Sequence, residues 1–288
     1  MQVNIKDYLP LFKLRVCSLI TFSAVVGLIS VSTVDTSISN IFFLSLFTMM
    51  SSMGASAFNH YFDVDIDSVM QRTKNRPMPS GKVVNSRGVL VVAILLFLSS
   101  ILLAFKILNP MTGLHLFLGG FVYAVVYTVW LKRTHWSNII IGGMAGSFAV
   151  LAGGASATPE LCLPPVLLSV TMFFWTPPHF WSFAIFHREQ YEKANIPMLP
   201  VVIGDAKTAW YILFNTVVMV ASSLIPSILG YFGAVYTLTA AVAGGFFIFR
   251  NVQLVRNTTK EMAWKNFKGS MIYLGAVFLA VIVDVMIK

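Results

Sequence analysis

The chain alternates between long apolar runs and short polar segments. Each run has roughly 17–25 residues, the length that an α-helix needs to cross the hydrocarbon core of a bilayer. The runs lie at about residues 16–34, 41–58, 89–108, 114–131, 138–157, 165–186, 208–229, 231–249 and 269–287. The pattern predicts an all-α, polytopic membrane protein with nine transmembrane helices, of which the seventh and eighth are separated only by the region from Pro226 to Gly233.

Composition agrees with a membrane protein. Hydrophobic residues make up 57% of the 288 residues, charged residues make up 11%, and the mean hydropathy is +0.79. A soluble domain of this size could not bury so much apolar surface. The segment from Met1 to Leu14 lacks the layout of a signal or transit peptide. We therefore expect uncleaved insertion into a cell (inner) membrane, with a single transmembrane domain over residues 1–288.

The positions of Lys and Arg predict the orientation of the helices. With the N-terminus in the cytoplasm, every basic residue except Lys106 and Lys288 falls on the cytoplasmic side. This bias follows the positive-inside rule, and a count wrong by one helix would scramble it. We therefore attribute the formal charge of +9 to the topology and to contact with anionic lipid, and not to the binding of nucleic acid. Cys17 and Cys162 are expected near opposite membrane faces, too far apart for a disulfide.

Two cytoplasmic connections, residues 59–88 and 187–207, are long and rich in ionisable groups, so function is expected between them. In the first, Asn59, Asp63 and Asp67 recur every four residues. Positions four apart share one face of a helix. Two carboxylates aimed at one spot suit Mg²⁺, which proteins usually hold with one or two carboxylates plus substrate phosphates. The sequence therefore predicts a metal site at Asp63 and Asp67.

A basic cluster follows these acids. It contains Arg72, Lys74 and Arg76, and guanidinium and ammonium groups complement phosphate oxygens. Lys132 and Arg133, at the cytoplasmic end of the fourth predicted helix, either anchor the topology or clamp the same anion. Acids that hold a metal, together with bases that hold phosphate, indicate a diphosphate site.

These motifs resemble a known family. N-x-x-x-D-x-x-x-D followed by M-x-R-T-x-x-R-P is similar to the signature of the UbiA-type intramembrane prenyltransferases, and among them to the protohaem IX farnesyltransferases, or haem O synthases. The matching residues are Asn59, Asp63, Asp67, Met70, Arg72, Thr73, Arg76 and Pro77. A second stretch matches at Tyr127, Thr128, Leu131, Lys132, Arg133 and Asn138, with Gly142 near the family glycine. The run W-T-P-P-H-F-W-S, residues 175–182, resembles the haem O synthases and not their quinone-prenylating relatives.

The resemblance implies a nine-helix UbiA-type bundle with its active site on the cytoplasmic side. It implies farnesyl transfer from farnesyl diphosphate to a vinyl group of protohaem IX (haem b), with Mg²⁺ as cofactor. The expected catalytic residues are Asn59, Asp63, Asp67 and His179. The expected diphosphate ligands are Arg72, Arg76, Lys132 and Arg133. Haem-modifying enzymes and terminal-oxidase assembly proteins are candidate protein partners.

His179 lies beside two prolines that are expected to break the sixth helix. Pro177 and Pro178 lack amide donors. Carbonyl groups freed inside a membrane must be satisfied within the protein or line a cavity. Three roles stay open for His179: a hydrogen-bonded core residue, a ligand to haem iron or a general base.

Two segments depart from the family pattern. UbiA-type enzymes usually carry a second D-x-x-x-D motif after the sixth helix, and haem O synthases often keep an Asp just before the tyrosine that corresponds to Tyr191. Gln190 occupies that position here, so the second acidic region is reduced to Glu189 and Glu192, which are either site residues or solvated charges. Near the N-terminus, Leu14 replaces the proline of the family's K-P-R and leaves both flanking charges in place.

Two other functions are compatible with parts of the sequence. A prenyltransferase with a quinone or chlorin acceptor is disfavoured by the W-T-P-P-H run and by the weakened second acidic region. A polytopic transporter would place ionisable groups near the bilayer midplane. The predicted helix interiors carry almost none apart from Asp284, near the outer end of the ninth helix.

Overall fold

The computed structural model describes residues 5–31, 37–83 and 85–287, and within them the chain forms helices and no β-strand. The α-helices are α1 (Leu14–Ile29), α2 (Ile38–Phe62), α3 (Val64–Val69), α4 (Ser86–Leu103), α5 (Pro110–Phe121), α6 (Lys132–Thr134), α7 (Asn138–Gly142), α8 (Met144–Ala157), α9 (Leu163–Phe186), α10 (Arg188–Lys193), α11 (Leu199–Ile203), α12 (Asp205–Ile228), α13 (Ala234–Arg256) and α14 (Lys260–Met286). Two 3₁₀ helices, Ile5–Asp7 and Leu9–Phe12, precede α1, and the π-helical segments Ala104–Leu108 and Val122–Leu131 continue α4 and α5. The all-α prediction is confirmed.

Eight helical segments in the described part of the chain are long and apolar enough to cross a membrane. They are Leu9–Ile29, Ile38–Phe62, Ser86–Leu108, Pro110–Thr134, Asn138–Ala157, Asp205–Ile228, Ala234–Arg256 and Lys260–Met286. They match eight of the predicted runs, and the chain does turn between α12 and α13 as expected. The predicted end of the first run, at residues 32–34, lies outside the described residues.

α9 corresponds to the remaining predicted run. It has 24 residues, enough to span about 36 Å at 1.5 Å per residue. Thr176, Pro177, Pro178 and His179 lower its apolar character. Its passage through the membrane therefore stays a prediction, and so do the count of nine and the side on which the N-terminus lies.

The expected break at Pro177 and Pro178 is wrong, because α9 continues as one α-helix through both prolines. α9 packs against α8, α12 and α14. Asn266 Nδ2 of α14 donates to Ser182 Oγ of α9 at 2.9 Å, one turn after the prolines. Neighbouring helices and side-chain hydrogen bonds make prolines tolerable inside membrane helices. The helix therefore persists where local propensity predicts its end.

α1 and α8 approach so closely that two glycines at their contact leave no room for a side chain. A Cβ added to Gly153 would lie 1.8 Å from the carbonyl oxygen of Ala24, and one added to Gly27 would lie 2.1 Å from that of Val150. Small residues permit this approach between membrane helices. α1 also packs on α2, the helix that ends at the acid-rich segment.

Asp284, the acid predicted inside the last helix, caps the start of α13. The Gly233 amide donates to its Oδ2 at 2.5 Å, and the Tyr236 amide donates to its Oδ1 at 3.2 Å. The first amides of a helix lack partners within it. This buried carboxylate therefore has a structural role between two helices.

A buried apolar cluster joins the two long polar connections. Ile66 and Met70 come from the first connection, Tyr191 and Ile196 from the second, and all pack with Trp181 of α9. The short helices α3, α10 and α11 lie in these connections. The two connections therefore meet, as expected for a site between them.

Candidate active site

The acids with four-residue spacing lie together where α2 gives way to α3. Helical hydrogen bonding continues through the junction: the Asp63 amide donates to the Asn59 carbonyl at 3.0 Å, and the Asp67 amide donates to the Asp63 carbonyl at 2.7 Å. Asn59, Asp63 and Asp67 are only 3%, 1% and 2% exposed. Carboxylates buried this deeply need partners, because an unpaired buried charge is costly.

Asp63 is held through one of its carboxylate oxygens. Its Oδ2 accepts hydrogen bonds from Asn59 Nδ2 at 2.7 Å and from the Lys132 ammonium group. Its Oδ1 is buried and accepts no hydrogen bond from any residue that the structure describes, with Arg133 Nη2 4.0 Å away. A buried carboxylate oxygen without a donor is suited to a cation, so this donor set fits Mg²⁺.

Asp67 is paired with the basic cluster that follows it. Arg76 Nη1 donates to Asp67 Oδ2 at 2.6 Å. Thr73 Oγ1 donates to the Asp67 carbonyl at 3.0 Å, and the Arg76 amide donates to the Thr73 carbonyl at 2.9 Å. These turns fold the chain back on α3, so that the arginine reaches the acid.

Lys13, which is not among the predicted site residues, belongs to the same cluster. Its Nζ donates to Asn59 Oδ1 at 2.7 Å and to the Tyr123 hydroxyl at 3.3 Å. Asn59 Nδ2 also donates to Thr128 Oγ1 at 3.1 Å. Tyr123 and Thr128 lie in the π-helical segment Val122–Leu131, and π-helical turns are frequent at functional sites. The sequence signal for Lys13 is its match to the first residue of the family's K-P-R, directly before an apolar run.

The cluster carries a net positive charge. Two carboxylates, Asp63 and Asp67, lie among three cations, Lys13, Arg76 and Lys132. An excess of one sign of charge between low-dielectric walls concentrates ions of the opposite sign. The arrangement can therefore take up an anion together with a divalent cation.

Arg133 lies at the rim of this cluster. It donates to both carboxylate oxygens of Asp65, at 2.6 and 2.7 Å, and to the Phe62 carbonyl at 2.6 Å. The hydrogen bonds from Arg133 lower the pKa of Asp65 to about 2. Because Asp65 is exposed, this pair holds the guanidinium at the edge of the site.

Arg72 is the second rim residue. Its guanidinium carbon lies 5.2 Å from the centre of the Phe183 ring, a cation–π geometry. Its amide donates to Gln190 Oε1 at 3.1 Å. Tyr191, which follows Gln190 in the chain, is buried, and burial raises the pKa of its hydroxyl group. The Arg72 guanidinium is thus exposed but fixed between the two connections.

The structure does not bring Glu189 and Glu192 into the cluster. Both are exposed on α10, whose buried face is formed by Tyr191. Glu189 accepts a hydrogen bond from Lys260 at 2.7 Å, and this bond lowers the pKa of the Glu189 carboxyl. Adjacent helical residues point about 100° apart, so acidic composition alone does not specify which side chains face the site.

His179 lies within α9, in a row of aromatic side chains. Its Nδ1 is 2.7 Å from Ser270 Oγ, and its ring stacks on Trp175 with centroids 4.2 Å apart. Phe183 and His187 extend the row in steps of four residues, with their own centroids 4.4 Å apart. We call these four residues of α9 and its end, Trp175, His179, Phe183 and His187, the aromatic row.

Metal binding by protein side chains alone is not supported. In the described ranges, no group of three or more His, Cys, Asp or Glu side chains could hold a metal ion. Asp63 and Asp67 supply two carboxylates, so phosphate and water have to supply the remaining ligands, which is usual for Mg²⁺.

Comparison with known proteins identifies the family. A family model described as the UbiA prenyltransferase family matches residues 20–281. The chain belongs to this family. It is 45% identical over 282 residues to Protoheme IX farnesyltransferase 1 of Paramagnetospirillum magneticum, covering 98% of this chain and 99% of that protein. It is 38% identical over 288 residues to Protoheme IX farnesyltransferase of Bartonella bacilliformis, covering 99% and 92%.

Solved structures share the fold of this UbiA-family chain. A structure described as digeranylgeranylglyceryl phosphate synthase in membranes has a TM-score of 0.84 at 22% identity and covers 99% of both chains. A UbiA homologue from Archaeoglobus fulgidus bound to DMAPP and Mg²⁺ has a TM-score of 0.71 at 15% identity, covering 96% of this chain and 99% of that one. At these identities the likeness establishes the fold alone.

Proposed function

We propose that this UbiA-family chain transfers a farnesyl group from farnesyl diphosphate to a vinyl group of protohaem IX, giving haem O and releasing diphosphate. The observation that carries the proposal is the buried pair Asp63 and Asp67 among Lys13, Arg76 and Lys132. Relatives named protoheme IX farnesyltransferase, at 45% and 38% identity, support the two substrates. The UbiA homologue bound to DMAPP and Mg²⁺ supports a metal-dependent prenyl diphosphate site.

The diphosphate binds at the buried cluster through charge complementarity. Arg76 and Lys132 each use one N–H on a carboxylate and keep further N–H groups for phosphate oxygens. Asp63 and Asp67 would hold Mg²⁺, which when bound neutralises negative charge on the diphosphate. At the rim, Arg72 extends the positive field towards solvent, whereas Arg133 is paired with Asp65 and can offer only its remaining N–H groups to phosphate.

Loss of diphosphate leaves an allylic farnesyl cation. Arg76 and Lys132 stabilise the departing negative charge with donors that are in place beforehand. The electron-rich vinyl group attacks the cation and forms the new C–C bond, and water then adds to the resulting carbocation and loses a proton, which gives a hydroxyethylfarnesyl side chain. Stray water would quench the cation early, so the burial of the acids serves the reaction as well as the binding.

His179 is suited to hold the acceptor through its iron. Ser270 Oγ donates its only proton to the Phe267 carbonyl at 2.6 Å, so at 2.7 Å from His179 it accepts from Nδ1. The imidazole proton is therefore on Nδ1, and Nε2 presents a lone pair. This tautomer is the one that a histidine needs to bind haem iron through Nε2.

The aromatic row offers flat faces for a porphyrin. Stacking on aromatic rings is favourable for large π-systems. The row reaches the rim of the diphosphate cluster at Phe183, where the Arg72 guanidinium lies 5.2 Å from the ring centre. A porphyrin on this row and a prenyl diphosphate in the cluster would lie on neighbouring surfaces.

The same proposal includes location and organisation. The chain forms one transmembrane domain over residues 1–288 in a cell inner membrane, with the N-terminus and active site on the cytoplasmic side. The distribution of Lys and Arg supports this orientation. Proteins that modify haem or assemble terminal oxidases are the proposed protein contacts.

The decisive experiment uses the purified protein in lipid. It is incubated with haem and farnesyl diphosphate, with and without Mg²⁺, and the extracted tetrapyrrole is analysed by mass spectrometry. We expect a hydroxyethylfarnesyl adduct that disappears without Mg²⁺. Parallel reactions contain a quinone or a chlorin in place of haem, and prenylation of one of these with unmodified haem would replace the proposal.

A further inference from the structure

Lys13 adopts a left-handed backbone conformation, with φ 43° and ψ 49°. It joins the 3₁₀ helix Leu9–Phe12 to α1: its amide donates to the Pro10 carbonyl at 3.3 Å, and its carbonyl accepts from the Val16 and Cys17 amides at 2.8 and 3.0 Å. Residues with a Cβ disfavour this region. Such strain clusters at functional sites, so the conformation directs attention to what the side chain does.

The Lys13 ammonium group determines which way the Asn59 carboxamide faces. An ammonium group can only donate, so its 2.7 Å contact requires the carbonyl oxygen Oδ1 of Asn59. Nδ2 of Asn59 then faces Asp63 Oδ2 at 2.7 Å and Thr128 Oγ1 at 3.1 Å. The reversed amide would place its NH₂ group against the ammonium and its oxygen against the carboxylate.

This orientation decides which oxygen of Asp63 is available. Oδ2 is occupied by Asn59 and Lys132, whereas Oδ1 is buried and receives no hydrogen bond from the described part of the chain. We propose that Lys13 is a positioning residue, which orients Asn59 so that Asp63 offers Oδ1 to a divalent cation. The inference rests on one part of the proposed function, the binding of metal and diphosphate at Asp63. It does not depend on which molecule accepts the farnesyl group.

A binding measurement without acceptor tests this role. Farnesyl thiodiphosphate, which ionises poorly, is titrated into the purified full-length protein by calorimetry at a series of Mg²⁺ concentrations. Lys13→Met removes the donor and keeps the side-chain length, and we expect the Mg²⁺ concentration for half-maximal binding to rise at least about tenfold. Lys13→Arg keeps a charged donor, so it should restore that concentration to within about threefold of wild type.

Arg15→Met is the matched control, because it removes an exposed cation from the same segment and should leave the Mg²⁺ dependence unchanged. If Lys13→Met folds and binds with wild-type Mg²⁺ dependence, or if Arg15→Met weakens binding equally, the positioning role is wrong. If Lys13→Met elutes as aggregate, Lys13→Gln, a neutral donor, takes its place with an expected rise of at least about threefold. If haem is not the acceptor, the wild-type protein will not farnesylate haem but will still bind farnesyl thiodiphosphate. The two failures are therefore distinguishable.

Discussion

The Arg72 amide donates to Gln190 Oε1 at 3.1 Å, and this hydrogen bond joins the two long polar connections. Because Oε1 is occupied, Gln190 turns its Nε2 towards His187 Nδ1, 3.3 Å away. An amide nitrogen can only donate, so Nδ1 of His187 is an unprotonated acceptor. Gln190 therefore bridges the connections as a neutral group, where the family pattern often has an acid, and places no negative charge beside Arg72.

Replacing Gln190 tests whether this bridge has to be neutral. Gln190→Asp keeps an acceptor beside Arg72, so we expect turnover within about threefold of wild type. Gln190→Ala removes the acceptor and should raise the KM for farnesyl diphosphate about two- to tenfold, the effect of one hydrogen bond. Glu192→Ala, an exposed neighbour on α10, is the control. Complete inactivity of Gln190→Asp in steady-state assays, with Gln190→Ala still active, would show that a negative charge is not tolerated at this position.

The bridge should also weaken in acid. Burial, with a smaller effect of Arg72, lowers the pKa of His187 to about 4, whereas histidine in an unfolded chain titrates at about 6.5. Between these values the unfolded chain binds more protons, so stability should fall as the pH is lowered through this window. The check is the apparent melting temperature in lipid at a fixed scan rate, for wild type and for His187→Phe. A variant with the same pH dependence as wild type would contradict this prediction.

Asp63 and Asp67 should be essential, and Asp65 should not be. Asp63→Asn and Asp67→Asn each remove a buried anionic group from the cluster, so we expect a loss of turnover of at least about 100-fold. Asp65→Asn alters only an exposed pair with Arg133, and turnover should stay within about threefold. Steady-state farnesylation rates of the three variants decide this. Near-normal turnover of either buried variant would exclude it as a metal ligand.

The apolar runs and the acid cluster could be predicted from sequence because each has a simple physical period. A bilayer requires helices of a narrow range of lengths, and a four-residue spacing brings Asn59, Asp63 and Asp67 to one face. Helix ends were less predictable. α14 begins at Lys260 and not at about residue 269, because its charged first turns are helical although they are not apolar.

The rest of the cluster depends on tertiary packing. Lys13 meets Asn59 across 46 residues, and the packing of α1 and of the 3₁₀ helix Leu9–Phe12 on α2 places them together. Tyr123 and Thr128 lie in a π-helical segment, where the 3.6-residue period that helical patterns assume does not hold. The prolines of α9 show the opposite case, in which neighbouring helices override local propensity.

His179→Ala should impair the use of haem more than the binding of diphosphate. Its Nε2 lone pair, left free because Ser270 accepts from Nδ1, is the proposed iron ligand, and the diphosphate cluster does not include it. Haem affinity, from titration of the Soret band, should fall at least about tenfold, while farnesyl thiodiphosphate binding stays within about twofold. Ser270→Ala keeps the ring but frees Nδ1, so the imidazole can change tautomer and the Soret band should shift with a smaller loss of affinity. Equal loss of both ligands in His179→Ala would mean that the histidine only supports the packing of α9 against α14.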